Sequence, residues 1–76
     1  MLVAVANAKD SPFGVVFFTG QMSVCRLEDG TLGVKPQTSA DPSDAYKFLG
    51  YREARDLLEH FRMDQFRVEN MKEVLY

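Results

Sequence analysis

Cys25 and His60 are the only cysteine and the only histidine in this chain, and they bound the covalent chemistry it could perform. Nucleophilic catalysis needs an activated nucleophile, a base within hydrogen-bonding reach and a group that orients the base. Cys25 lies in "QMSVCRL", an alternating stretch whose parity sets it beside Leu27. His60 falls far round a helical stretch from that helix's apolar arc. The two are expected on opposite sides of the helix's core interface, with Cys25 a buried and chemically quiet hydrophobe. Metal binding fails on ligand number, for there is no Cys-x-x-Cys pair, no second histidine and no EF-hand-like acid spacing. Asp41 and Asp44 are better explained as capping residues. "GTLG" at 30–33 lacks the glycine-rich run, the lysine and the following helix of a phosphate loop. Paired carboxylates occur only along a helix and in a tight turn, without a cleft to desolvate them. The sequence therefore predicts no enzyme, no metal and no cofactor.

The elements that position these residues must fit into 76 residues, enough for one small domain with little stability to spare. A hydrophobic content of 46% argues against disorder. The net charge of −2 predicts no general attraction to nucleic acid or anionic lipid. Charge is also evenly spread: residues 1–40 carry three basic and three acidic side chains, residues 41–76 six and eight. A single cysteine excludes an internal disulfide framework, which points to a reducing, cytoplasmic setting. "MLVAVANA" is apolar but lacks the basic start and the length of a signal peptide. No run approaches membrane-spanning length.

"LVAVA" reads as a first strand, closed by the polar turn "NAKDSPFG". "VVFF", "QMSVCRL" and "TLGVK" read as further strands, separated by "TG" at 19–20 and "EDG" at 28–30. A two-residue Asp29-Gly30 loop pairs Glu28 with Thr31, Leu27 with Leu32 and Cys25 with Val34. A Thr19-Gly20 loop pairs Phe17 with Met22 and Val15 with Val24. Pro36 is expected to end the strand run. "DPSD" at 41–44 carries a helix-start signature, with Asp41 as N-cap and Pro42 at N1.

From Tyr51 the pattern turns helical. Tyr51, Ala54, Leu57, Leu58 and Phe61 fall within an arc of about 120°, the geometry of a core-facing side. Gly50 as N-cap would place Glu53 at N3, half of a capping box. The opposite side holds Arg52, Arg55 and Arg62 against Glu53, Asp56 and Glu59. Arg52–Asp56 and Arg55–Glu59 stand at i,i+4, which predicts a solvated, self-paired face. "QFRVE" alternates like a final strand, and "MKEVLY" continues it or forms a helical turn. The expected fold is α+β: an antiparallel β-meander of three to five strands packed on one main α-helix at about 51–63, in a single domain.

The order of elements in "MSVCRLEDGTLGVKPQ…YREARDLLEHF" is similar to that of the small DNA-binding arms of recombinases, which lay a sheet in the major groove. That resemblance implies a nucleic-acid-binding accessory domain. Such strands should present several basic and amide side chains, and here they offer Arg26, Lys35 and Gln21. The stronger signal is an apolar surplus. One helix covers one sheet face, with Cys25, Leu27, Leu32, Val34, Val16 and Phe18 meeting it. Val15, Phe17, Met22 and Val24 are left together on the second face. The C-terminal segment (Phe66, Val68, Met71, Val74, Leu75) folds over these four, or the Thr19-Gly20 turn is a bend that folds the strands into a two-layer core, or the four dock on another protein or on a second copy. The functional expectation is a small non-enzymatic regulator or inhibitor that occludes a larger protein or protein complex, or pairs with its own copy as a homodimer. Neither nucleic acid nor membrane is the expected partner. By size alone the class extends to phage- or mobile-element-encoded inhibitors, the anti-CRISPR proteins among them.

Overall fold

"LVAVA" does become the first strand, and it is central rather than peripheral. The computed structural model describes residues 1–75, with strands β1 (Leu2–Asn7), β2 (Val15–Arg26), β3 (Leu32–Ser39) and β4 (Arg67–Asn70). A 3₁₀ turn spans Pro42–Asp44, and the helices are α1 (Tyr51–His60) and α2 (Met71–Leu75). The strands form one antiparallel sheet in the order β3-β2-β1-β4. The α+β fold expected from the sequence is the one the chain adopts, with one main helix and a short second one.

Both faces of the β1 region are covered. On one face Ala4 and Ala6 lie under α1, where small side chains let Ala54 and Leu58 approach closely. Phe18, Phe48, Met63 and Phe66 fill the surrounding space, with the Phe18 ring 6.3 Å edge-on from Phe66 and 6.5 Å from Phe48. On the other face Val3, Val5, Val15, Phe17 and Ala45 form a second cluster, against which Met71 and Val74 of α2 pack. A strand covered on both sides reads as an unbroken apolar run, as "LVAVA" does. No described helix is long and apolar enough to cross a membrane.

Thr19-Gly20 does not reverse the chain. β2 runs straight through it, and the expected second hairpin is absent. Three residues separate Phe18 from Met22, but one separates their β3 partners Thr38 and Pro36, so β2 carries two extra residues as a bulge. Gly20 supplies the positive φ (89°) that the bulge needs. Its missing side chain also admits Tyr46, whose ring carbon would lie 2.5 Å from a Cβ placed there. Tyr46 N–H donates to the Phe18 carbonyl at 2.8 Å and Phe48 N–H to the Leu2 carbonyl at 2.9 Å. Residues 46–48 thus bond to both β1 and β2 just where those strands cease to pair.

Asp29-Gly30 does mark a reversal, one residue longer than expected. Leu27 N–H bonds to Thr31 O at 2.8 Å and Gly30 N–H to Leu27 O at 3.0 Å, with Gly30 at φ 88°. That is a three-residue loop closed by a glycine bulge. The register slips by one: Val24 faces Val34, Cys25 faces Gly33 and Arg26 faces Leu32. Cys25 is consequently half-buried rather than core. Pro36 does not end β3 either; it sits within an edge strand, where a missing N–H is tolerated.

The helix stops at His60, three residues early. Arg62 adopts φ 52°, Met63 N–H bonds to Leu58 O at 2.9 Å and Arg62 N–H to Glu59 O at 3.2 Å. These two bonds close the helix as a Schellman motif, with buried Met63 packed in the Leu58 cluster. Gly50 is the N-cap residue without a side-chain cap. Asp41 caps the 3₁₀ turn as expected, accepting from the Ser43 N–H at 2.9 Å.

Candidate functional site

The four residues expected to form one docking patch are divided by the bulge. Val15 and Phe17 are buried, Phe17 at 0% exposure, under Met71 and Val74. That corrects their assignment to a free surface: without the Thr19-Gly20 reversal, Met22 and Val24 keep the parity of Phe18, not of Phe17. Met22 packs partly against the helix-side core, and Val24 lies beyond it, 71% exposed. The C-terminal segment supplies the cover over Val15 and Phe17, while Phe66 and Val68 belong to the opposite cluster.

Past the bulge, β2 and β3 continue as a two-stranded arm from Met22↔Pro36 to the loop at 28–30. β1 pairs with β2 only at 15–17, and α1 lies over β1 and β4. The arm extends the molecule to 42 Å in its longest dimension. The radius of gyration, 12.7 Å, exceeds the roughly 11 Å of a fully compact chain this long.

Opposed residues of an antiparallel pair share a face. One face of the arm therefore carries Met22, Val24, Leu32, Val34 and Pro36, with Arg26 near the tip. Leu32 is 68% and Val34 56% exposed. Both had been expected beneath the helix, together with Leu27, which instead folds over Gly33 on the arm's other face. That other face is polar, with Ser23 Oγ accepting from the Gln37 side-chain amide at 2.7 Å, and it carries Lys35. Arg26 and Lys35 point to opposite faces, so neither is a basic surface.

The apolar arc of α1 is only partly used as core. Ala54 and Leu58 are buried and Leu57 is half-buried, whereas Tyr51 and Phe61 are exposed. On the charged side Arg55 pairs with Glu59 at 3.6 Å, and no Arg52–Asp56 ion pair forms. Tyr51 and Arg55 edge a cleft of about 280 Å³ between α1 and β4, floored by Leu58, Met63, Phe66 and Val68. A second cleft of about 230 Å³ lies along β4 on the sheet's other face, lined by Phe13, Val15, Glu69, Glu73 and Val74. Arg67 borders both. Its guanidinium is held by Glu69 at 3.0 Å and the Asn7 side-chain oxygen at 2.8 Å.

Among the described residues two carboxyls are shifted, and both serve loops. Asp29 is held below the ordinary carboxylate value by the Thr31 hydroxyl and then the Thr31 N–H; Asp41 is lowered by the Ser43 N–H and then its hydroxyl. Cys25 stands on the arm and His60 on the last turn of α1.

Comparison with protein families, with curated proteins and with solved structures yields no match.

Proposed function

We propose that this chain is a small non-enzymatic protein-binding regulator that inhibits a larger protein partner by occlusion, inserting the β2–β3 arm into an apolar cleft of that partner. The observation that supports this reading is the uncovered face of Val24, Leu32 and Val34 on a projecting ribbon. Large apolar side chains left together on one strand face are the usual mark of a docking surface. The size of that face favours a concave partner over a flat one. The arm's five residue pairs, three of them on this face, span roughly 17 Å by 10 Å at ordinary strand spacings. A stable interface buries about 800 Å² per partner. One arm face pressed on its copy falls well short of that, whereas a cleft also engages the arm's edges and its polar face. By size the reading extends to inhibitors encoded by phages or mobile elements.

The test is capture from lysate followed by mass spectrometry, with the wild type beside Val34→Asp. Retention of one large protein at high salt, lost in the variant, supports the reading. DNA binding that weakens with salt, unchanged in the variant, replaces it with the nucleic-acid alternative. Concentration-dependent dimerisation lost in the variant replaces it with self-association.

A further inference from the structure

The two edges of the sheet are guarded differently. β3 carries Lys35 and Pro36, a charge and a missing N–H that discourage pairing with another strand. β4, "RVEN", has no proline, its two charges Arg67 and Glu69 are paired with each other, and among the described residues its one strand partner is β1. An edge strand turns alternate backbone N–H and C=O groups away from its sheet, ready for another strand.

What lies beside that open edge gives the stronger argument. The two clefts flank β4 on opposite faces of the sheet, and Arg67 borders both. An added strand sends successive side chains to opposite faces, so neighbouring residues of one extended peptide would enter the two clefts. The cleft under α1 has an apolar floor of Leu58, Met63, Phe66 and Val68; at its rim Arg55 is already paired with Glu59, and Asp64 has no ion-pair partner among the described residues. The other cleft holds Glu69 and Glu73 against Arg67. Arg67 is paired with Glu69, and among the described residues Glu73 has no ion-pair partner. This cleft therefore keeps one uncompensated negative charge, above the apolar surfaces of Phe13 and Val74. It suits a basic side chain with a long aliphatic stem.

We propose that β4 receives an extended segment of a partner protein as a fifth strand. An apolar side chain of that segment enters the cleft beneath α1, and an adjoining lysine or arginine enters the cleft beside Glu73. The site is separate from the arm and does not depend on the role given to it.

The probe is a capped, fluorescent peptide, Leu-Lys-Leu-Lys-Leu-Lys, titrated into the full chain by polarisation. Two further forms carry N-methyl groups on one or the other alternate set of amides. A block isomer, Leu-Leu-Leu-Lys-Lys-Lys, matches its composition. The alternating peptide should bind, with amide shift changes in β4 and α1. Only one of the N-methylated forms should bind, because only one set of amides faces β4. Glu73→Lys should weaken binding about tenfold by placing like charges together, and Val34→Asp should leave it unchanged. The proposal is overturned by any of four results. These are equal binding of the block isomer, equal binding of both N-methylated forms, indifference to Glu73→Lys, or no binding at millimolar peptide.

Discussion

Phe17 and Val24 stand on the same strand, yet Phe17 is sealed from solvent and Val24 is open to it. Both are good strand formers, and local sequence treats them alike. The difference lies in what reaches over each. Before the bulge, β2 has β1 beside it, Phe18 within the helix-side cluster and α2 over Phe17. After the bulge it has only β3. Burial in this protein is thus set by the covering elements, and the bulge at Gly20 is where the cover ends. A two-stranded ribbon is marginal on its own, so the arm depends on its continuity with the sheet and exposes apolar side chains without endangering the core.

The sharpest test of that contrast is the same substitution on each side of the bulge. Phe17→Asp should cost several kcal/mol, because it buries a carboxylate and removes the largest side chain of its cluster. Loss of the cooperative thermal transition would show this. A folded Phe17→Asp would contradict the two-faced core.

Gly20→Ala should cost about 2 kcal/mol, since it adds a side chain at positive φ and pushes on the Tyr46 ring. Denaturant melts would measure the loss. No loss would mean that the bulge is not held by Tyr46.

Val34→Asp, on the arm, should change stability by at most about 1 kcal/mol, the span of strand propensity. It should weaken partner capture by at least about 2 kcal/mol if this face anchors the complex. An unfolded Val34→Asp would erase the distinction between arm and body.

The smallest effect concerns Asp29 at the arm's tip and Asp41 in the body, two solvated carboxylates in similar loop caps. Both have folded values below 3.8. Each therefore lends its stability fully above 3.8 and loses it as pH falls through the lowered value. Carboxyl NMR titration should give midpoints below 3.8 for both, and Asp29→Asn or Asp41→Asn should flatten the acid limb of stability. A midpoint at or above 3.8 in either would show that cap to be open in solution.

The class of fold was legible from periodicity and punctuation. The unbroken "LVAVA" marked a strand, Asp29-Gly30 a reversal, Asp41-Pro42 a capped turn and Tyr51–His60 a helix. These depend on interactions within a few residues, where residue type and spacing carry the physics. The candidate site was legible only in part. Val24 is exposed, but on the face expected to meet the helix, and Met22 packs partly against the helix-side core. Leu32 and Val34, expected in the core, are exposed, and Phe17, expected outside, is buried. Two local ambiguities produced the errors. Thr-Gly serves a hairpin or a bulge equally well, and one extra loop residue at 28–30 reverses which side chains share a face. Pro36 inside the pattern was the available sign of an edge strand.

By itself, then, the sequence determined the kinds of element, their order and the caps that bound them, because short-range sterics and hydrogen bonding decide those. The tertiary structure alone decided which apolar residues became core. That outcome turns on Tyr46 lodging against Gly20, on α2 reaching Phe17, and on α1 lying over β1 and β4. Each joins residues distant in the chain, and a hydrophobic side chain gains the same free energy from whichever surface removes it from water.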